Sequence, residues 1–320
     1  MTAPRTYSAF GLTIASDIAL DALDPVAVAP DAADLQVRRA TGIVRTEHGP
    51  VDPWFDITPD TQYLFWRAIG GYLIQDARTV LVEPLKESTD HMVSQALLGL
   101  VLSLVLERRQ ILCLHAGAVD TGTGAAVLMG DKGAGKSTTS AAMILSGHTP
   151  VTDDLVAVDI PPAHSAPPMI RPGFSSLKLW PDSIAALALA PESSDRKVHP
   201  LSQKLQKRMP VAIRTQDTMF SAAFVLDRTS DVIRPKVTRL PPHEALQNVL
   251  RFTFMARYGE TRLGTPHLVA HMKRCSALVS RVPIYRLRYP ADLTALDQLA
   301  TTIAETTERP PVSWTGSGVV

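Results

Sequence analysis

Three short stretches hold the residue types that could do chemistry together. In "GDKGAGKS", Gly130, Gly135, Lys136 and Ser137 stand in the spacing G-x-x-x-x-G-K-[ST]. Glycines so placed let consecutive main-chain N–H groups turn inward around phosphate oxygens, while the lysine neutralises charge and the hydroxyl reaches Mg²⁺. Gly130, Asp131, Lys132, Gly133, Ala134, Gly135, Lys136, Ser137 and Thr138 are therefore expected to cradle the phosphates of ATP. The second stretch, "VTDDLVAV", carries the adjacent carboxylates Asp153 and Asp154. The third, "ILCLHAGAV", carries His115, which on an apolar strand reads by itself as a satisfied core histidine.

The elements around the loop suit that chemistry. Apolar "AAVLM" enters it as a buried strand and "STTSAAMIL" leaves it as a helix, the context in which a helix N-terminus receives an anion. A helix from Ser137 to about Gly147 travels roughly 15 Å away from the phosphates at 1.5 Å per residue. Gly147 suits its C-terminal cap, and Pro150 forbids its continuation. The extended stretch from His148 to Asp153 then covers roughly 20 Å, so an immediate return brings both acids back beside the γ-phosphate. Adjacent carboxylates there can divide the work: one holds the metal and the other accepts the proton of an attacking hydroxyl. Arg251, in "NVLRF", is a candidate for the arginine that stabilises charge in phosphoryl transfer. It is one of eight Lys/Arg between 251 and 288.

Farther out, "YSAFGLTI", "LQVRR", "QYLFWRA", "GYLIQ" and "TVLVEP" are short, rich in β-branched and aromatic residues and divided by turn residues. They predict an antiparallel, meander-like N-terminal sheet. A helix is predicted from Thr89 to Arg109, capped by Thr89 or Asp90. Its run "ALLGLVLSLVL" falls short of the ~20 residues a spanning helix needs, so it reads as a buried helix. The five prolines between 161 and 172 predict a loop, and a second irregular stretch, 191–210, holds five Lys/Arg and no acid between 196 and 208. "AAFVLD" and "IYRLRY" read as strands, with helices near 243–256 and 265–280. Trp180 and Phe174 read as packing residues. The expected organisation is an α/β (α+β) chain: an N-terminal β-rich domain over 1–109 ending in a helix, a catalytic domain over 110–306, and a flexible tail over 307–320.

Composition narrows the class. Hydrophobic residues make up 45% and charged residues 20% of 320, an ordinary globular balance. The net charge of +1 hides an asymmetry: residues 1–129 carry nine Lys/Arg against fifteen Asp/Glu, and residues 130–320 carry twenty-three against sixteen. The basic part contains the phosphate loop, which fits an anionic ligand. No basic–aromatic stripe points to nucleic acid, and no apolar run of membrane-spanning length points to a membrane. Cys113 and Cys275 lack metal-ligand spacing, so a cytoplasmic setting is expected.

The motif carries a family resemblance. "GDKGAGKSTTSAAMILSGHTPVTDDLVAV" resembles the core of the HPr kinase/phosphorylase family: phosphate loop, short helix, Gly-His, then Asp-Asp. "LHAGAV" is similar to that family's His-Gly strand. The resemblance implies a fold related to phosphoenolpyruvate carboxykinase, His115 as an active-site residue, Asp154 as proton acceptor, Lys136 on phosphate and Ser137 on Mg²⁺, which leaves Asp153 as the acid expected to hold the metal. The chain departs from the family at "MIRPGFSSLKLW", which keeps Arg171 and Gly173 but lacks the family's metal-binding glutamate, and at Thr138, where the family commonly has glutamate. The N-terminal "YSAFGLTIASDIAL" is more similar to HPr-kinase-like proteins of lasso-peptide gene sets, which implies a serine acceptor at the C-terminal end of a precursor peptide. Small-protein and free-serine acceptors, a bifunctional HPr regulator, a nucleotide-binding adaptor and a homo-oligomer remain alternatives.

Overall fold

The computed structural model of the protein describes residues 4–49, 51–162, 166–192, 195–198, 202–209, 211–258 and 264–308. Its N-terminal part is a seven-stranded sheet of β1 (Arg5–Ala9), β2 (Leu12–Ser16), β3 (Leu35–Arg39), β4 (Trp54–Ile57), β5 (Gln62–Trp66), β6 (Gly70–Ile74) and β7 (Thr79–Pro84), in the order β1-β2-β3-β7-β6-β5-β4. β4 to β7 form the expected antiparallel meander. The sheet as a whole is mixed, however, because β3 runs parallel to both β2 and β7. A parallel neighbour needs a long crossover, and residues 17–34 and 40–78 supply the two here. "YSAFGLTI" is two strands rather than one. Phe10 and Gly11 both have positive φ, 55° and 71°, the demand of a two-residue hairpin turn whose twist matches its strands.

Next come α1 (Asp90–Ala96) and α2 (Leu102–Arg108), continuous through a π-helical turn at Leu97–Val101. The Thr89 hydroxyl caps the start, accepting the Met92 N–H at 3.3 Å, which satisfies one of the orphan donors of a helix N-terminus. Asp90–Arg108 is the one helix among the described residues long and apolar enough to cross a membrane, and 67% of its apolar window is buried inside the protein.

The second sheet has nine strands: β8 (Leu112–Leu114), β9 (Ala116–Asp120), β10 (Ala125–Met129), β11 (Thr149–Thr152), β12 (Val156–Asp159), β13 (Met169–Arg171), β17 (Thr218–Thr229), β18 (Lys236–Arg239) and β19 (Ile284–Pro290). The main path runs β11-β9-β10-β17-β13-β12-β8, with β19 between β17 and β18. β9 lies near one end of that path and β8 at the other, yet they are consecutive in the chain. The sheet therefore curls until His115, the single residue between them, joins its two ends. The third sheet is β14 (Ser176–Leu179), β15 (Arg196–Lys197) and β16 (Leu205–Arg208), in the order β14-β16-β15. Helices α3 (Lys136–Leu145), α4 (Pro181–Ala186), α5 (Pro242–Arg251), α6 (Thr265–Val279) and α7 (Leu296–Glu308) complete a mixed α/β architecture.

Several expected loops are ordered strands. The proline-rich stretch contains β13, which lies between the preceding β12 and the more distant β17, and the basic stretch contains β15 and β16, of which β16 pairs with both β15 and β14. α7 continues through Glu308 and buries Thr307, so residues 307–308 belong to a helix, while 309–320 lie outside the described residues. The N-terminal sheet does not own a separate core. Tyr7, Phe10, Val37, Tyr72 and Val82 share one apolar cluster with Cys113, Leu155, Phe174, Phe254 and Tyr258. Phe10, fully buried, meets Phe174 edge-on at 6.0 Å, and its N–H donates to the Pro172 carbonyl at 2.7 Å. The N-terminal hairpin thus braces the segment that follows β13.

Candidate phosphate and metal site

β10 ends at Met129, and the chain turns through 130–135 into α3. Gly133 and Gly135 have φ of +92° and +87°, values that cost an ordinary L-residue roughly 1–2 kcal/mol. A Cβ on Gly135 would also stand 2.4 Å from the Tyr289 hydroxyl oxygen. That hydroxyl donates to the Ala134 carbonyl, which pins the loop to the end of β19. Lys136 folds back across the loop, its Nζ donating to the Gly130 carbonyl at 2.7 Å and the Asp131 carbonyl at 3.4 Å. Burial lowers its pKa. The far end of α3 closes with Gly147 at φ +97° and with the His148 N–H donating to the Met143 carbonyl, the expected glycine cap.

The return strand brings the acids back. β11 ends at Thr152, and the Ser137 hydroxyl donates to Asp153 Oδ2 at 3.3 Å. Asp153 is 3% exposed. Burial, and then the neighbouring Asp154 charge, push its carboxyl up to about 7. A buried carboxylate whose ionised form is disfavoured, with a serine hydroxyl beside it, fits a divalent cation, which would relieve that cost. Among the described residues no group of three His, Cys, Asp or Glu could hold a metal ion. The Ser137 hydroxyl and Asp153 are donors that could hold Mg²⁺, which commonly takes one or two carboxylates and completes its shell with water and phosphate oxygens.

Asp154 is arranged differently. Its φ of +68° is a conformation that Asp and Asn tolerate better than most residues. Its Oδ2 lies 2.8 Å from Lys178 Nζ on β14, and its Oδ1 lies 3.1 Å from His115 Nδ1. His115 Nδ1 is also 3.1 Å from the Asp154 carbonyl oxygen. Burial alone would raise the Asp154 carboxyl, but the Lys178 ammonium and the His115 ring outweigh it and hold it well below the usual carboxylate range. His115 meets Phe254 edge-on at 5.7 Å and keeps 23% of its side chain exposed.

The remaining expected residues divide. Arg251, at the end of α5, reaches the loop and pairs with Asp131 at 2.7 Å. The Thr138 hydroxyl donates to Ser183 at 2.9 Å, so its side chain ties α3 to α4 instead of facing a phosphate; only its main chain remains at the helix start. Arg171 pairs with Asp159 at 2.6 Å, away from the acid pair. Sequence reasoning missed Lys178 and left Lys204 and Arg257 unsingled. Lys204 lies 5.3 Å over the Trp180 ring, and both Lys204 and Arg257 lower the Lys136 pKa after burial. The signal for Lys178 was its place in alternating "SLKLW", a charge amid apolar strand residues; the basic stretch pointed only generally to Lys204.

Loop, lysine, hydroxyl, buried Asp153 and part-open Asp154 together can bind a nucleotide's phosphates with a divalent cation and present a basic group beside them. No family model matches the chain, and no curated protein matches it.

Proposed function

We propose that the protein is an ATP-dependent serine kinase that transfers the γ-phosphoryl group to a hydroxyl on a peptide or small protein. In this reading it has a catalytic fold of the HPr kinase and phosphoenolpyruvate carboxykinase kind and works in the cytoplasm. The single observation that carries it is the 3.3 Å approach of the Ser137 hydroxyl to Asp153, with Asp154 next in the chain. An acid on the Ser137 hydroxyl suits the metal of a bound nucleotide, and a second acid beside it is what transfer to a hydroxyl would add. Gly130 to Ser137 hold the phosphates through main-chain N–H groups and the Lys136 ammonium. Ser137 and Asp153 hold Mg²⁺, which when bound neutralises phosphate charge. Asp154, His115 and Lys178 stand on the side from which the hydroxyl attacks. Arg251 and Lys204 guard the rim.

The acceptor is a serine in a peptide, at the C-terminal end of a precursor in the reading that the N-terminal resemblance favours. The cationic side chains Lys178, Lys204 and Arg257 and the bracing N-terminal sheet suit a partner held at several points, where remote contacts position one hydroxyl. Incubation with ATP, Mg²⁺ and such a peptide should add about 80 Da to it, one phosphoryl group, and replacing the serine with alanine should abolish the gain. Phosphorylation of free serine or HPr with the peptide untouched overturns the acceptor. ATP binding without transfer to any of them favours the adaptor.

A further inference from the structure

We propose that Ser140 is a positioning residue of the cation site: across the open face of Gly117 its hydroxyl holds Oδ1 of Asp153, leaving Oδ2 for Ser137 and the divalent cation. The inference rests on the phosphate and cation reading above and adds residues that reading does not use. Three observations meet at one spot. The first is the hydroxyl itself. Ser140 stands one turn along α3 from Ser137, on the same side of the helix. It is 2% exposed, and its Oγ has no hydrogen-bond partner among the described residues. A serine within a helix usually faces solvent or donates to the carbonyl four residues back, as Ser146 does to Ala142 at 3.0 Å at the end of α3. Ser140 does neither. An orphaned buried hydroxyl costs free energy that an alanine avoids, so the packing of α3 gives no reason for a serine here.

The second observation is the strand against which α3 packs. Gly117 lies buried in the middle of β9, paired with Leu128 of β10. A glycine inside a strand weakens it and often marks a close approach. A Cβ on Gly117 would stand 2.8 Å from Ser140 Oγ and 3.2 Å from Asp153 Oδ1, so the same missing methyl makes room for both groups. The third is the carboxylate. Asp153 is buried, and its Oδ2 accepts the Ser137 hydroxyl at 3.3 Å. Two oxygens of one carboxylate thus face two serines of one helix, and Oδ1 is the acceptor that the Ser140 proton lacks. A turn of either side chain, or one bridging water, joins them. A carboxylate held at its far oxygen keeps the near one aimed, and removing such a support typically weakens metal binding 10–100-fold.

The test reads metal binding apart from turnover. Mn²⁺ is titrated into protein saturated with a non-hydrolysable ATP analogue, and its uptake is followed by the relaxation of water protons. Ser140→Ala should bind Mn²⁺ about tenfold or more weakly, while its metal-free ATP affinity and its unfolding midpoint in chelator stay at wild-type values. Its turnover should recover when Mg²⁺ is raised. Gly117→Ala should also weaken Mn²⁺ binding, and it should do so by a smaller factor in the Ser140→Ala background, because the two changes compete for one spot. Wild-type Mn²⁺ affinity in Ser140→Ala overturns the proposal. So does a loss of metal-free ATP affinity or stability that matches the loss of Mn²⁺, which would make Ser140 a packing residue. Either result leaves the kinase reading standing, whereas wild-type protein that takes up no Mn²⁺ with the analogue sinks both.

Discussion

Lys178 Nζ lies 2.8 Å from Asp154 Oδ2 and so links β14 of the small three-stranded sheet to the turn between β11 and β12. The pair is partly open, with about a quarter of each side chain exposed. Lys178→Met should therefore cost a moderate ~1–3 kcal/mol in thermal or denaturant unfolding, the usual range for losing a hydrogen bond to a charged group. Combining it with Asp154→Asn should cost less than the sum of the two single changes. Additive losses would mean the pair is not coupled.

Asp153 gives a signed pH dependence. Burial raises its folded pKa to about 7, while an unfolded aspartate titrates near 4. Between those values the folded state holds a proton that the unfolded state has released, so this group makes metal-free stability fall as pH rises through that window. Asp153→Asn should remove the fall and stabilise the metal-free protein above pH 7 by an amount on the order of 1–3 kcal/mol. Denaturant titrations at pH 4.5 and 8 check the sign; a destabilised variant at pH 8 contradicts it.

Lys136 serves the loop itself. Lys136→Ala should leave the fold in place, since the ammonium bonds only to carbonyls of the loop, and calorimetry should find ATP affinity lowered at least tenfold. Unchanged affinity would show that the cradle is not the nucleotide site.

Gly135 has no room for substitution. Gly135→Ala meets both the positive φ and the Tyr289 hydroxyl, so nucleotide binding should fail although the change lies in a loop. Tyr289→Phe, which frees the Ala134 carbonyl, should weaken ATP binding by a smaller factor.

Phe10 tests the brace. It is 0% exposed, and truncating a buried phenylalanine to alanine typically costs about 3–5 kcal/mol, so the milder Phe10→Leu should cost less. Because the Phe174 carbonyl accepts the Asp153 N–H at 3.0 Å, Phe10→Leu should disturb the acid pair as well as stability. Turnover should drop while ATP affinity holds; parallel loss of both would indicate general unfolding.

Much of the site was legible in order along the chain. Strand "AAVLM", the loop glycines, the helix, Gly147 and Pro150 each act within a few residues, so their spacing alone implied a phosphate loop and a quick return of Asp153 toward Ser137. The helix start at Thr89 was equally local. The hairpin at Phe10-Gly11 was harder, because one of its two positive φ values falls on a phenylalanine, a residue that rarely adopts it.

What the sequence by itself determined were these short-range features: which segments turn, which are apolar, and which residues could touch phosphate. The parallel pairing of β3, the strands hidden in the proline-rich and basic stretches, the link of Thr138 to Ser183 and the meeting of Lys178, Asp154 and His115 were decided only by tertiary structure. Most of these join residues distant along the chain, and the meeting at His115 depends on how the second sheet curls to bring β8 and β9 together. No local propensity encodes that closure, because its free energy comes from burying the shared core on both sides of it.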